Sequence, residues 1–80
     1  MKAKIYITLK PGVLDPQGKT VQHALAALGF AEVQDARIGK YIELKLEGVD
    51  RGKAEDGVKQ MCEKLLANTV IESYRFDIEG

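Results

Sequence analysis

Few side chains in this sequence could do chemistry. His23 is the only histidine, Cys62 the only cysteine and Ser73 the only serine. A histidine acting as a general base needs a positioned nucleophile or proton donor, and no local motif brings one to His23. A lone histidine also offers no ligand pair to a metal. Cys62 sits between Met61 and Leu65 on an apolar helical stripe. Burial there raises a thiol's pKa and makes it a small packing residue, not a nucleophile. Gly18-Lys19-Thr20 resembles the tail of a phosphate-binding loop, but Val13 stands where that loop needs its first glycine. What is left is a helix start whose free amides bind anions weakly. Glu55, Asp56 and Glu63, like Glu43 and Glu47, are spread out, so nothing drives two carboxyl pKa values apart. The expectation is no catalytic, metal or cofactor-binding site in this chain.

The elements that would position these residues follow from periodicity. Ile5, Ile7 and Leu9 alternate with Lys4, Tyr6 and Thr8, the pattern of a half-buried strand, and Lys10-Pro11-Gly12 ends it. Asp15-Pro16 reads as an N-cap with proline in the first turn. Val21, Ala24, Leu25 and Leu28 then form an amphipathic helix stopping at Gly29. A second helix is capped by Asp50, with Ala54, Val58, Met61, Cys62, Leu65 and Leu66 as its apolar stripe and Asn68 as a left-handed stop. Gly52 and Gly57 weaken its first half by about 1 kcal/mol each relative to alanine, so packing must hold it. Val70 to Ile78 alternates as a final strand.

The middle of the chain, Glu32 to Glu47, admits two readings. Ala36, Ile38, Ile42, Leu44 and Leu46 share one parity straight through Gly39. A two-residue turn at Gly39-Lys40 would pair Arg37 with Ile42 and mix charged with apolar residues on one face. A hairpin with the loop Gly39 to Tyr41 keeps the faces separate. So does one long strand bent at Gly39, which would outrun a small monomer and be shared in a dimer. The fold class is α+β, a small two-layer sandwich of β-α-β(β)-α-β order, with an antiparallel sheet and two helices on one face.

Eighty residues make one domain, 1–80. At this size only about 60% of the unfolded chain's surface can be buried, and a partner is a common source of the missing stability. With one cysteine there is no internal disulfide. Lys plus Arg number 12 and Asp plus Glu number 12, so the basic excess of a nucleic-acid binder is missing. No apolar run is long enough to span a bilayer, and the amino terminus alternates instead of forming a signal peptide's apolar block. The expectations are no nucleic acid, no membrane and a cytoplasmic setting.

Aromatic surface, by contrast, is in surplus. If the helices cover the face bearing Ile5, Ile7, Ile42 and Leu44, the other face shows Tyr6, Thr8, Tyr41, Glu43 and Lys45. The last strand adds either Tyr74, Phe76 and Ile78 or Ile71. Tyrosines mixed with charges describe a protein interface better than a sheet face turned to water.

The same residues carry a family pattern. Leu14-Asp15-Pro16-Gln17-Gly18 runs into a helix with Val21-Gln22-His23-Ala24-Leu25. Val33, Arg37-Ile38-Gly39-Lys40-Tyr41 and Ile42-Glu43-Leu44 follow, and Met61 to Asn68 leads to Val70-Ile71-Glu72 and Tyr74. In order and spacing this resembles the PurS family, the small subunit of phosphoribosylformylglycinamidine synthase. One departure is Thr69, where the family commonly has proline. The resemblance implies a non-catalytic subunit in purine biosynthesis, within an ATP-dependent ligase that takes its amido nitrogen from glutamine. A glutaminase subunit would release ammonia, and a large synthetase subunit would use ATP and Mg to activate the amide oxygen that ammonia replaces. The small subunit would dock the two and help ammonia pass between them, as a homodimer or homotetramer, with no cofactor of its own. His23, Arg37, Gly39, Lys40, Tyr41 and Tyr6 are the candidate interface residues, and Gly39 is expected to permit the bend that forms the dimer. The competing reading is a small ligand-binding regulatory dimer domain, a use to which the same element order is put.

Overall fold

The computed structural model describes all 80 residues. Alternation of apolar and polar side chains builds the central strand β1, Lys2–Leu9, with Ala3, Ile5 and Ile7 buried on one face. It is flanked antiparallel by β2, Gly39–Lys45, and β3, Glu72–Glu79, giving the sheet order β2-β1-β3. In register, Ile5 lies between Ile42 and Phe76, and Ala3 between Leu44 and Ile78, so these rows of one face are apolar across all three strands. The element order is β-α-β-α-β and the class is α+β, as the periodicities predict.

Helix α1, Pro16–Ala27, begins where Asp15 accepts a hydrogen bond from the Gly18 N–H at 2.8 Å. It ends at Gly29, whose φ of +100° suits a residue without Cβ. Helix α2, Arg51–Met61, is capped by Asp50 through the Lys53 N–H, also at 2.8 Å. It continues as a π-helical turn, Cys62–Leu66, in which Ala67 N–H reaches back five residues to the Cys62 carbonyl. That extra residue per turn rotates the apolar stripe. Val58, Cys62 and Ala67 are buried against Ala3, Ile5 and Ile7, and Ala54 is buried too, while Met61 and Leu65 of the predicted stripe are exposed, Leu65 by 82%.

Three local expectations change, and one open alternative, the face of the last strand, is decided. No hairpin forms in the middle: one strand starts at Gly39, and residues 33–38 pair with no strand of this chain. Asn68 is no left-handed stop, since no residue other than glycine has positive φ. Its side chain instead accepts from the Val70 N–H and makes a turn into β3. Tyr74, Phe76 and Ile78 all turn to the apolar face, leaving Ser73, Arg75 and Asp77 on the other. Finally, only α2 covers the sheet, and it lies toward β3. Helix α1 makes no substantial packing contact with sheet or α2. The molecule accordingly measures 49 × 25 × 14 Å, with a radius of gyration of 15.9 Å against about 12 Å for a compact chain of this length.

Candidate interaction surfaces

Two places gather the residues that sequence singles out. The first is the open face of the sheet. Tyr6 on β1 stands opposite Tyr41 on β2 and Arg75 on β3, so the three side chains form a row across all three strands. The tyrosine rings lie 5.1 Å apart between centroids, tilted by 39°. The Arg75 guanidinium carbon is 3.9 Å from the centre of the Tyr6 ring, within cation–π range. The Tyr41 hydroxyl donates to the Glu43 carboxylate at 2.7 Å. That hydrogen bond pushes the Tyr41 phenol up to about 12 and, with Lys2 alongside, holds the Glu43 carboxyl below its ordinary range. In the next row Lys4 sits between Glu43 and Asp77, and its ammonium meets Glu79 at 2.9 Å, which raises the lysine's pKa. The face is therefore an aromatic–guanidinium centre with a rim of paired charges, the composition of an interface core and its surround. Tyr41 is half exposed.

The second place is the root of α1. Gly18 is buried because the backbone passes close at Ala36, and a methyl group on Gly18 would run into the Ala36 carbonyl oxygen. Asp15 spans this crossing: one carboxylate oxygen takes the Gly18 N–H and the other takes the Ile38 N–H at 3.0 Å. Both bonds hold the Asp15 carboxyl below its usual pKa, with Arg37 adding to the effect. The Arg37 guanidinium donates to the carbonyls of Leu9 and Lys10, the last at 2.9 Å. Gly39 follows directly. Its φ is not positive, so it is needed for space: a Cβ there would collide with the Ile7 carbonyl oxygen.

The candidate residues thus separate. Tyr6 and Tyr41 meet on the open face; Arg37 and Gly39 meet at the root. Lys40 lies on the opposite face from Tyr41 and approaches Glu72 at 3.6 Å across the end of the sheet. His23 is exposed on α1, near none of the others. Arg75 and Asp15 are contributors that sequence reasoning undervalued. Arg75 could have been found from the strand's alternation, since the parity that buries Tyr74 and Phe76 puts Arg75 beside Tyr6. No cluster of three or more His, Cys, Asp or Glu side chains is gathered to hold a metal. No helix is long and apolar enough to cross a membrane.

Comparison with known proteins follows the same lines. Residues 2–80 match the family model described as PurS, phosphoribosylformylglycinamidine (FGAM) synthase. The chain is similar to phosphoribosylformylglycinamidine synthase subunit PurS of Bacillus subtilis, with 60% identity over 98% of this chain and 92% of that one. Among solved structures it is similar to PurS of Methanocaldococcus jannaschii, one of the subunits of formylglycinamide ribonucleotide amidotransferase in the purine biosynthetic pathway. That match has a TM-score of 0.85 at 44% identity and covers 98% and 94% of the two chains. It is also similar to a chain in the structure of PurLQS from Thermotoga maritima, with a TM-score of 0.86 at 36% identity over 95% and 93%.

Proposed function

This chain belongs to the PurS family of phosphoribosylformylglycinamidine synthase subunits, and from that premise we propose that it acts in purine biosynthesis as a docking piece. It joins the glutaminase subunit, PurQ, to the ATP-dependent synthetase subunit, PurL, and supports the passage of ammonia between them. ATP, Mg and glutamine are used by those partners, in the cytoplasm, and the whole of 1–80 serves as the single docking domain. The observation that carries the reading is the Tyr41–Tyr6–Arg75 row, an exposed aromatic–cationic centre on a chain whose titratable groups form no pocketed acid–base pair.

Self-association as a homodimer or homotetramer belongs to the same reading. Strand β2 is an edge, and the segment leading into it, 33–38, pairs with no strand. The other edge is better guarded, because Arg51 donates to the Ile78 carbonyl on β3 at 2.9 Å. Gly39 marks where β2 meets that unpaired segment, and Arg37 and Lys40 flank it.

The test is assembly. Glutaminase and synthetase subunits are mixed with and without this chain under turnover conditions and resolved by sedimentation. Co-sedimentation of all three only when the chain is present supports docking. Co-sedimentation of the other two in its absence, with none of the chain in the complex, removes the reading.

A further inference from the structure

Arg75 stands on the open face of the sheet with its guanidinium held in place but largely unanswered. Its central carbon lies 3.9 Å from the centre of the Tyr6 ring, and Tyr6 is backed in turn by Tyr41 at 5.1 Å. Stacking on a ring steadies the planar fork and leaves the N–H groups along its edges open to a further partner. The one carboxylate it meets is Asp77, at 3.5 Å, with both side chains more than half exposed. An ion pair this long and this wet is weak. The other acids of the face are engaged elsewhere: Glu43 accepts from Tyr41 and approaches Lys2, and Glu79 meets Lys4. The charge left over on this face is therefore positive.

In the next row Thr8 and Ser73 stand opposite each other on β1 and β3, both exposed. With Tyr6, Tyr74 and Arg75 they line a shallow depression of about 340 Å³. A guanidinium fork with two hydroxyls beside it is a donor set that suits a carboxylate. A phosphate fits less well, because β1 is flanked by strands on both sides and its amides are used in the ladder, so no backbone nest faces the depression. A free carboxylate ligand also fits less well, since small-molecule sites enclose most of their ligand and this one is an open face. We propose that the depression seats a carboxylate side chain of a partner subunit of the synthase, with Arg75 as its anchor and Thr8 and Ser73 as flanking donors. The paired tyrosines beside it keep water from the contact once the partner is in place, which strengthens a charge-assisted hydrogen bond. Arg75 thus sets the register of docking, and the tyrosines supply contact area.

This anchor rests on the docking reading above, and the two can fail separately. Arg75→Gln and Arg75→Lys are compared with the unaltered chain in binding the mixed synthetase and glutaminase subunits under turnover conditions. Both should weaken binding about tenfold, because lysine keeps the charge but not the fork, while thermal melts of the chain alone stay unchanged. Carbodiimide then couples the amine introduced by Arg75→Lys to the carboxylate it meets, the water lost from the new amide being taken up as the urea. Peptide mass spectrometry reads the residue joined to position 75, and an Asp or Glu of either partner subunit is the expected result. Binding by Arg75→Gln as tight as that of the unaltered chain overturns the anchor and leaves docking to other residues. A cross-link from position 75 only to Asp77, or only to a second copy of the chain, overturns it too. Thermal stabilisation of the chain alone by free glutamate, lost in Arg75→Gln, would assign the depression to a small carboxylate and likewise overturn it. Failure of the unaltered chain to bind either partner removes the docking reading and the anchor with it.

Discussion

The Asp15 carboxylate accepts a hydrogen bond from the backbone N–H of Ile38, twenty-three residues further along the chain. The same carboxylate caps α1 through Gly18, so one side chain fixes both where the helix begins and where the chain returns to the sheet. An ordinary N-cap does only the first of these. Asp15→Ala should therefore cost more stability than Asp50→Ala, which removes a single cap bond at Lys53. Chemical denaturation of the two variants side by side gives the comparison, and equal losses would show that the bond to Ile38 contributes nothing. The pH dependence has a definite sign. The folded pKa of Asp15 is depressed, so its contribution is present above the ordinary carboxylate range and disappears as pH falls through the lower folded value. Asp15→Ala should flatten the acid limb of the stability profile.

Two glycines let backbone pass backbone at this root, and each should be intolerant for that reason. Gly18→Ala places a methyl group against the Ala36 carbonyl, and Gly39→Val places its side chain against the Ile7 carbonyl. Overpacking of this kind costs about 1–3 kcal/mol. Gly39→Val should also weaken self-association, because it displaces β2 where the unpaired segment meets it. An unchanged mass at low micromolar concentration would contradict that role for Gly39. Gly12 has open space around a missing Cβ but a φ of +87°, so any cost of Gly12→Ala comes from the backbone alone.

On the open sheet face, Arg75→Ala and Tyr41→Ala should separate binding from folding. Exposed side chains of this kind change stability by about 0.5 kcal/mol or less, whereas the centre of an interface commonly loses more than about 1 kcal/mol on truncation. Titration calorimetry against the partner subunits, beside thermal melts of the chain alone, measures the two quantities. Loss of stability without loss of binding would remove this face from the docking surface.

The Tyr41–Glu43 hydrogen bond has its own readout. By difference absorbance Tyr41 should ionise at about 12, and Glu43→Gln should bring it back toward 10.0, because the carboxylate is what holds the phenolic proton. A Tyr41 titration that ignores the substitution would mean that the hydrogen bond is not made in solution.

Cys62 is fully buried and its thiol pKa is raised by that burial. At neutral pH a maleimide reagent should label it slowly in the folded chain and rapidly in denaturant. Fast labelling of the native chain would show that the π-helical turn opens readily.

Much of this was legible in the residues, because local periodicity and cap chemistry are local facts. The alternation of Ile5 and Ile7, the Asp15-Pro16 start, the Gly29 stop and the Asp50 cap all lie where the pattern puts them. Tyr6 and Tyr41 were legible as face-mates because strand parity fixes faces. The π-helical turn was not, since it depends on one i→i−5 bond at Ala67 that no propensity signals, and it moves Leu65 from the core to the surface. Nor was the stand-off of α1. The Val21–Leu28 stripe announces that something covers it but cannot say whether the cover lies in the same chain. The shared parity of Ala36, Ile38 and Ile42 suggested pairing, and only the sheet register shows that pairing begins at Gly39.

The most direct test of the docking account compares two nitrogen sources. Phosphoribosylformylglycinamidine formation is measured with the glutaminase and synthetase subunits, with and without this chain, from glutamine and from free ammonia. A coupling subunit predicts that omitting the chain abolishes most of the glutamine-dependent rate and leaves most of the ammonia-dependent rate. Equal rates from glutamine with and without the chain would contradict the account.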